Sequence, residues 1–193
     1  MNLGKMFADS CSTYKDNTAL VYENSRISFS RMDAAVNSLA NRLKSIGIGR
    51  GDKAALMLPN TPEFPITYFA CQKLGAVAVT LNVMSTAYEL HYLLDNSDAK
   101  VLVTAAQSAR RFEEIKDRLA TCRHLLLTEV DEGPLSMKKA MEAGPFAFEA
   151  SDAGRDDPAV MIYTSGLTGK PLGAVLTHGN LVSQSRLLAD LFD

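Results

Sequence analysis

The sequence predicts an α/β fold, a mainly parallel sheet with helices on both faces, and three observations predict it. Runs of strand length such as "AALML", "AVAVTL" and "VLVT" are almost continuously apolar, broken only by Thr80 and Thr104, so such strands are expected to be buried on both sides. Between them lie amphipathic stretches long enough for helices, giving the alternation strand, helix, strand, helix. Capping and stop residues stand at the borders of these segments.

Residues 3–14 read as a helix. "ALVYENSRISFS" follows as two short strands about a turn from Glu23 to Arg26. Ser30 is expected to cap the long helix "RMDAAVNSLANRLKSIG", which carries Ala35, Leu39 and Leu43 on one face and stops at Gly47. "DKAALMLP" is a buried strand, "PEFPITYFACQKLG" a helix with proline in its first turn, and "AVAVTL" another buried strand. Thr86 and Glu89 have capping-box spacing ahead of the helix "AYELHYLLDNS". "KVLVT", a helix "RRFEEIKDRLA" and "HLLLT" come next. Residues 129–157 lose the pattern: with the following Pro158, residues 131–158 hold three prolines and three glycines among many acids, and read as a linker-like loop with one short helix near Met137 to Glu142. "AVMIYT" then resumes as a buried strand, "GAVLTH" follows, and "NLVSQSRLLADLF" is a helix still running where the sequence stops.

Bulk composition narrows the function classes. With 193 residues, 47% hydrophobic and 22% charged, the chain is long enough to bury roughly 70% of its unfolded surface. A net charge of −2 and no Lys/Arg cluster longer than a pair argue against nucleic acid as a partner. Cys11, Cys71 and Cys122 are distant and odd in number, which fits reduced core thiols and not a disulfide or zinc framework. With no apolar leader and no run of spanning length, a cytoplasmic chain without a transmembrane segment is expected.

The chemistry concentrates in "YTSGLTGKPLG", residues 163–173. Three glycines, two threonines, a serine and a lysine gather at one strand end, where glycine lets backbone approach an anion and reach positive φ, and hydroxyls donate to phosphate oxygens. The Walker pattern fails, because Pro171 stands where Ser/Thr should follow the lysine and Thr164 where the first glycine should be. A glycine-rich hairpin whose hydroxyls cap their own backbone fits the same composition.

Residues 163–173 resemble the signature loop of the adenylate-forming superfamily, in which the pattern reads Tyr/Phe, Thr, Ser, Gly, Thr, Thr, Gly, any, Pro, Lys, Gly. The match holds at Tyr163, Thr164, Ser165, Gly166, Thr168, Gly169, Pro171 and Gly173, and "THGN" continues it. "ISFSRMDAAVNSLANRLKSIGIGRGDKAALMLPNTPEFPITYFACQKLGAVAVTLN" is similar to the family's N-terminal region, most of all to that of bacterial long-chain fatty acyl-CoA synthetases. The resemblance implies that residues 1–193 are an N-terminal fragment of the large AMP-binding domain, without the small C-terminal domain, and so an incomplete portion of the fold. It implies a two-step reaction in which ATP and a carboxylic acid give an acyl-adenylate, and coenzyme A then takes the acyl group, with Mg2+ accompanying the ATP. It also implies that Thr164, Ser165, Gly166, Leu167, Thr168, Gly169, Lys170, Pro171, Leu172 and Gly173 form the ATP phosphate loop.

Two positions depart from the pattern. Leu167 replaces a threonine hydroxyl and Leu172 a lysine, and loss of one charge-assisted hydrogen bond costs about 1.5 to 3 kcal/mol. Lys170 stands at the variable position. The downstream metal, ribose and adenylation residues of the family have no counterpart here, so no catalytic residue is assigned and the chain alone is expected to be inactive; the alternatives are a non-catalytic binding or assembly module that keeps the fold, or an adenylating ligase for an aryl or amino acid. His91, His124 and His178 share no metal spacing, and Thr67, Tyr68, Phe69, Met57 and Met84 read as core. Glu113, Glu114 and Asp117 read as a solvated helix face. A sheet edge and an apolar face left uncovered would favour self-association.

Overall fold

The computed structural model describes residues 1–164 and 171–192. A small antiparallel hairpin, β1 (Thr18–Tyr22) and β2 (Ser25–Ser28), stands apart from a six-stranded sheet. That sheet is built from β3 (Lys53–Met57), β4 (Val77–Thr80), β5 (Ala99–Ala105), β6 (His124–Thr128), β7 (Pro158–Thr164) and β8 (Leu172–Thr177), in the order β6-β5-β3-β4-β7-β8. The first five strands in that order run parallel, and β8 returns antiparallel to β7.

Both faces are covered, as the doubly apolar strands require. Ala54, Leu56, Val101 and Val103 point into a core shared with α1 (Leu3–Thr13), α2 (Phe29–Ser45), α3 (Glu63–Leu74) and α6 (Met137–Glu142). The alternate residues Ala55, Met57, Val79 and Leu102 face α4 (Ala87–Ser97) and α5 (Ala109–Glu113). The last helix, α7 (His178–Phe192), joins the first core through Val182.

Local chemistry sets most of the boundaries. The Thr86 and Glu89 capping box forms in full, and α4 spans the expected residues. Gly75 ends α3 at φ 73°, where a Cβ would also lie 2.6 Å from Ser151 Oγ. Four expectations need correction. Ser28, not Ser30, caps α2: its extended backbone lets its hydroxyl accept from the Arg31 N–H at 3.3 Å, and Ser30 falls within the first turn. The helix expected over residues 110–120 is broken into α5 and a 3-10 turn at Lys116–Arg118. The Ala120 N–H donates to Asp95 Oδ1 of α4 instead of continuing a helix, while Ile115 and Leu119 turn inward. Glu113 and Glu114 there are exposed and pair with Lys116 and Arg110. Met84 is 75% exposed, whereas Met57 and Thr67 are buried as expected. Finally, β7 is buried only in its first half: Ala159 and Val160 are inside, but Ile162 is 40% exposed, because the strand beyond β7 is the exposed edge strand β8.

Residues 143–157 contain no helix or strand, yet they are strapped to the body. Asn41 Nδ2 donates to the carbonyls of Pro145 and Ala147, each at 3.0 Å, and Asn37 Nδ2 to that of Phe146 at 2.9 Å. Asn2, which caps α1 through the Lys5 N–H, donates to the carbonyls of Ser151 and Ala153 at 2.9 Å. Beneath this strap, Lys73 of α3 is buried with its ammonium 2.6 Å from both Asp33 Oδ1 and Asn37 Oδ1, and 5.7 Å from the centre of the Phe7 ring. The three cysteines are free and buried, and burial pushes the Cys71 and Cys122 thiols up to about 12.

Candidate phosphate-binding site

The parallel direction of β7 and β4 fixes where the described stem lies. Thr164 ends β7 on the side of the sheet where the carboxyl ends of β3, β4, β5 and β6 also emerge and where ligands of such sheets bind. Ser165, Gly166, Leu167, Thr168, Gly169 and Lys170 lie outside the described residues. The stem is described on both sides: Tyr163 pairs with Gly173 and Thr164 with Leu172 across the β7–β8 ladder.

Each described stem residue has a physical account. Thr164 Oγ1 lies 3.5 Å from the Leu172 carbonyl, a long contact that leaves the hydroxyl weakly engaged. Leu172 is 59% exposed, and no packing explains an apolar side chain there. Gly173 does not have the positive φ that the sequence suggested for loop glycines. Its missing side chain makes room instead, since a Cβ would lie 3.0 Å from Met161 Sδ and 3.4 Å from Tyr163 Cζ. Pro171 offers its carbonyl to the Tyr92 hydroxyl at 3.1 Å.

Two residues of α4 that the sequence did not single out meet this stem. Tyr92 holds Pro171, and Asn96 Oδ1 accepts from the Tyr163 hydroxyl at 2.7 Å. Burial holds the Tyr163 phenol above its ordinary range, so it stays a neutral donor at physiological pH. The i,i+4 spacing of Tyr92 and Asn96 was visible in the sequence, but nothing there tied that helix face to a hairpin 70 residues on.

At the far end of β8, His178 opens α7 and is fully buried. Its Nδ1 accepts from the Leu3 N–H at 3.3 Å, which leaves the proton on Nε2, a buried atom with no partner among the described residues. Burial pushes this imidazole below its ordinary value, Asp157 pulls it back up, and Arg50 adds to the lowering. Among the described residues no group of three or more His, Cys, Asp or Glu could hold a metal ion, and no helix is long and apolar enough to cross a membrane. A separate crevice of about 200 Å³ opens beyond the ends of β3 and β5, lined by Met57, Pro59, Met84, Ala105 and Arg111. Arg111 Nη1 closes one side of it by donating to the Val83 carbonyl at 2.6 Å.

Comparison with known proteins identifies relatives of the chain. Crotonobetaine/carnitine–CoA ligase of Escherichia coli K12 is 36% identical over 191 aligned residues, covering 93% of this chain and 37% of that enzyme. The chain thus spans 37% of the length of this curated relative. Among solved structures, anthranilate CoA ligase AuaEII in complex with anthranoyl-AMP superimposes with a TM-score of 0.90 at 26% identity, over 97% of this chain and 36% of that one. ATP-bound MatB from Rhodopseudomonas palustris gives 0.82 at 30% identity, over 98% and 38%. The family model for AMP-binding enzymes matches residues 7–192. The match over residues 7–192 therefore places the chain in the AMP-binding enzyme family, whose similar members here are CoA ligases.

Proposed function

We propose that this chain is the N-terminal part of an AMP-forming acyl-CoA synthetase, and that Thr164–Gly173 is its ATP phosphate loop. The observation that carries the reading is sequence position: a segment rich in glycine and hydroxyls follows the carboxyl end of β7, a parallel strand next to the sheet edge, in a chain of the AMP-binding family. Thr164, Ser165 and Thr168 supply hydroxyls, Gly166 and Gly169 allow close approach of backbone, and Lys170 supplies the loop's cation. Mg2+ would be carried on the phosphates, since the described residues offer no cluster to hold it. ATP first activates a carboxylic acid as its adenylate, and coenzyme A then accepts the acyl group. The acid is proposed to be a fatty acid, on the resemblance of the N-terminal region to fatty acyl-CoA synthetases, and the enzyme cytoplasmic. A second reading, a small polar or aryl acid, is supported by relatives named for carnitine and anthranilate.

The 193-residue chain alone is proposed to be inactive in turnover, with residues 129–157 as a connecting segment within one large-domain fragment. Exposed Leu172, Val175, Leu187, Leu188 and Leu191 on β8 and α7 support self-association of this chain. The test is calorimetry of Mg-ATP with the parent and with the double variant Leu167→Thr, Leu172→Lys. A gain of about tenfold or more in the variant is expected, the scale of one charge-assisted hydrogen bond. Equal affinities would remove the assignment of these positions to the phosphates.

A further inference from the structure

Away from the β7–β8 stem, two polar atoms at the seam between α3 and the start of α7 are buried and have no partner among the described residues: Gln72 Oε1 and His178 Nε2. Both residues are fully buried. What each atom needs is settled by the bond made at the other end of its group. Gln72 Nε2 donates to the Ala159 carbonyl at 3.1 Å, which orients the amide and leaves Oε1 as an acceptor in want of a donor. His178 Nδ1 accepts from the Leu3 N–H at 3.3 Å, so Nε2 carries the proton and is a donor in want of an acceptor. The two are complementary, yet they do not bond to each other.

Contacts from two directions bring these side chains together. On one side, the β7–β8 register shifts between Pro158 and Val160, and Ala159, whose carbonyl holds Gln72, lies within that shift. Pro158 pairs with Thr177, the residue before His178, and the His178 N–H donates to the Asp157 carbonyl at 3.0 Å. On the other side, successive residues of the first turn of α1 meet both: Leu3 donates to His178, and Gly4 lies so near Gln72 that a Cβ there would come 2.5 Å from the Gln72 carbonyl oxygen.

We propose that this seam is a binding site for one water molecule, which accepts from the His178 Nε2–H and donates to Gln72 Oε1, and so bridges α7 to α3 beneath the first turn of α1. The pair of groups selects the ligand. A metal or ammonium cation cannot accept from the imidazole N–H, and a halide cannot donate to the amide oxygen, whereas water does both. Two polar partners are enough to hold a buried water, and atoms of this kind, buried and otherwise unsatisfied, are the ones such waters serve.

Nuclear magnetic resonance on the folded 193-residue chain tests the site without any variant. The His178 ring nitrogens are expected to show the neutral tautomer with its proton on Nε2. The carbon-bound ring protons on either side of Nε2, Hδ2 and Hε1, are expected to give rotating-frame Overhauser peaks to water, as are the Gln72 Hγ protons. A proton on Nδ1 overturns the proposal, and so does the absence of water peaks from either side chain. Gln72→Met keeps the length of the side chain and removes the acceptor, so the His178 peaks to water should be lost; their persistence at parental intensity overturns the bridge in favour of a water held by His178 alone. Should Gln72→Met not fold, the Gln72 Hγ peaks of the parent decide between the same two outcomes.

Discussion

Removing Asp33 should harm this protein more than removing the buried lysine that Asp33 serves. Lys73 is 2% exposed, with its ammonium 2.6 Å from Asp33 Oδ1 and from Asn37 Oδ1 and facing the Phe7 ring. Asp33→Ala strands a buried cation with one amide oxygen and a ring face. Breaking a buried pair from one side costs about 3–5 kcal/mol, and the two remaining partners place the cost near the lower figure, about 3 kcal/mol. Lys73→Met removes the charge and keeps the bulk. The carboxylate left behind has a 30% exposed side chain and still accepts from Asn37 Nδ2 at 2.9 Å, so water and the amide can serve it. The remaining loss is one unsatisfied Asn37 oxygen and part of the ion pair, about 1–2 kcal/mol. The double variant should lie close to Lys73→Met alone, since the stranded cation is gone. Urea titrations of the four proteins measure this directly. Lys73→Met being as costly as Asp33→Ala, or the two costs simply adding, would refute the reasoning.

His178 gives a pH prediction. Its folded value lies below the unfolded one, so the contribution to stability is complete above about 6.5 and is lost as pH falls through that value toward the folded one. The parent should lose stability between pH 7 and pH 5, and His178→Gln should flatten that limb; identical slopes in urea titrations would reject the buried neutral tautomer. Gly173 gives a packing prediction. On an exposed edge strand valine normally favours β structure, but here a Cβ meets Met161 and Tyr163, so Gly173→Val should cost about 1–3 kcal/mol and weaken the Tyr163 to Asn96 contact. A stability equal to or above that of the parent would contradict the contact geometry.

Much of the fold was legible where local and global signals agree. The almost continuously apolar strands reported burial on both faces, and the Thr86 and Glu89 pair marked the start of α4 without error. What escaped depended on tertiary partners. The break after Glu113 leads into a segment held by the Asp95 contact with the Ala120 N–H, a partner that no periodicity in residues 110–120 encodes. The exposure of Ile162 follows from strand order, since an apolar residue in the fifth strand of a row reads the same as one in the third. For the site, the motif marked the segment between two strands, but not the antiparallel return of β8, and Gly173 was given to backbone freedom when the neighbouring Met161 and Tyr163 side chains account for it. Tyr92 and Asn96 were invisible because their partners lie 79 and 67 residues away.

The bond from the Leu3 N–H to His178 spans 175 residues. The first helix of the chain has an unpaired amide at its start, and the acceptor for that amide is made near the end. During synthesis at about 5–20 residues per second, α1 therefore waits roughly 10–35 s for this partner. Its docking against α3 can form early, but the seam between its N-terminus and α7 closes only once the hairpin loop has been made and β8 has turned back along β7. Completion of the β7–β8 hairpin and fastening of the N-terminus are thus one late event, and a ribosome stalled before residue 178 would leave the first turn of the protein open.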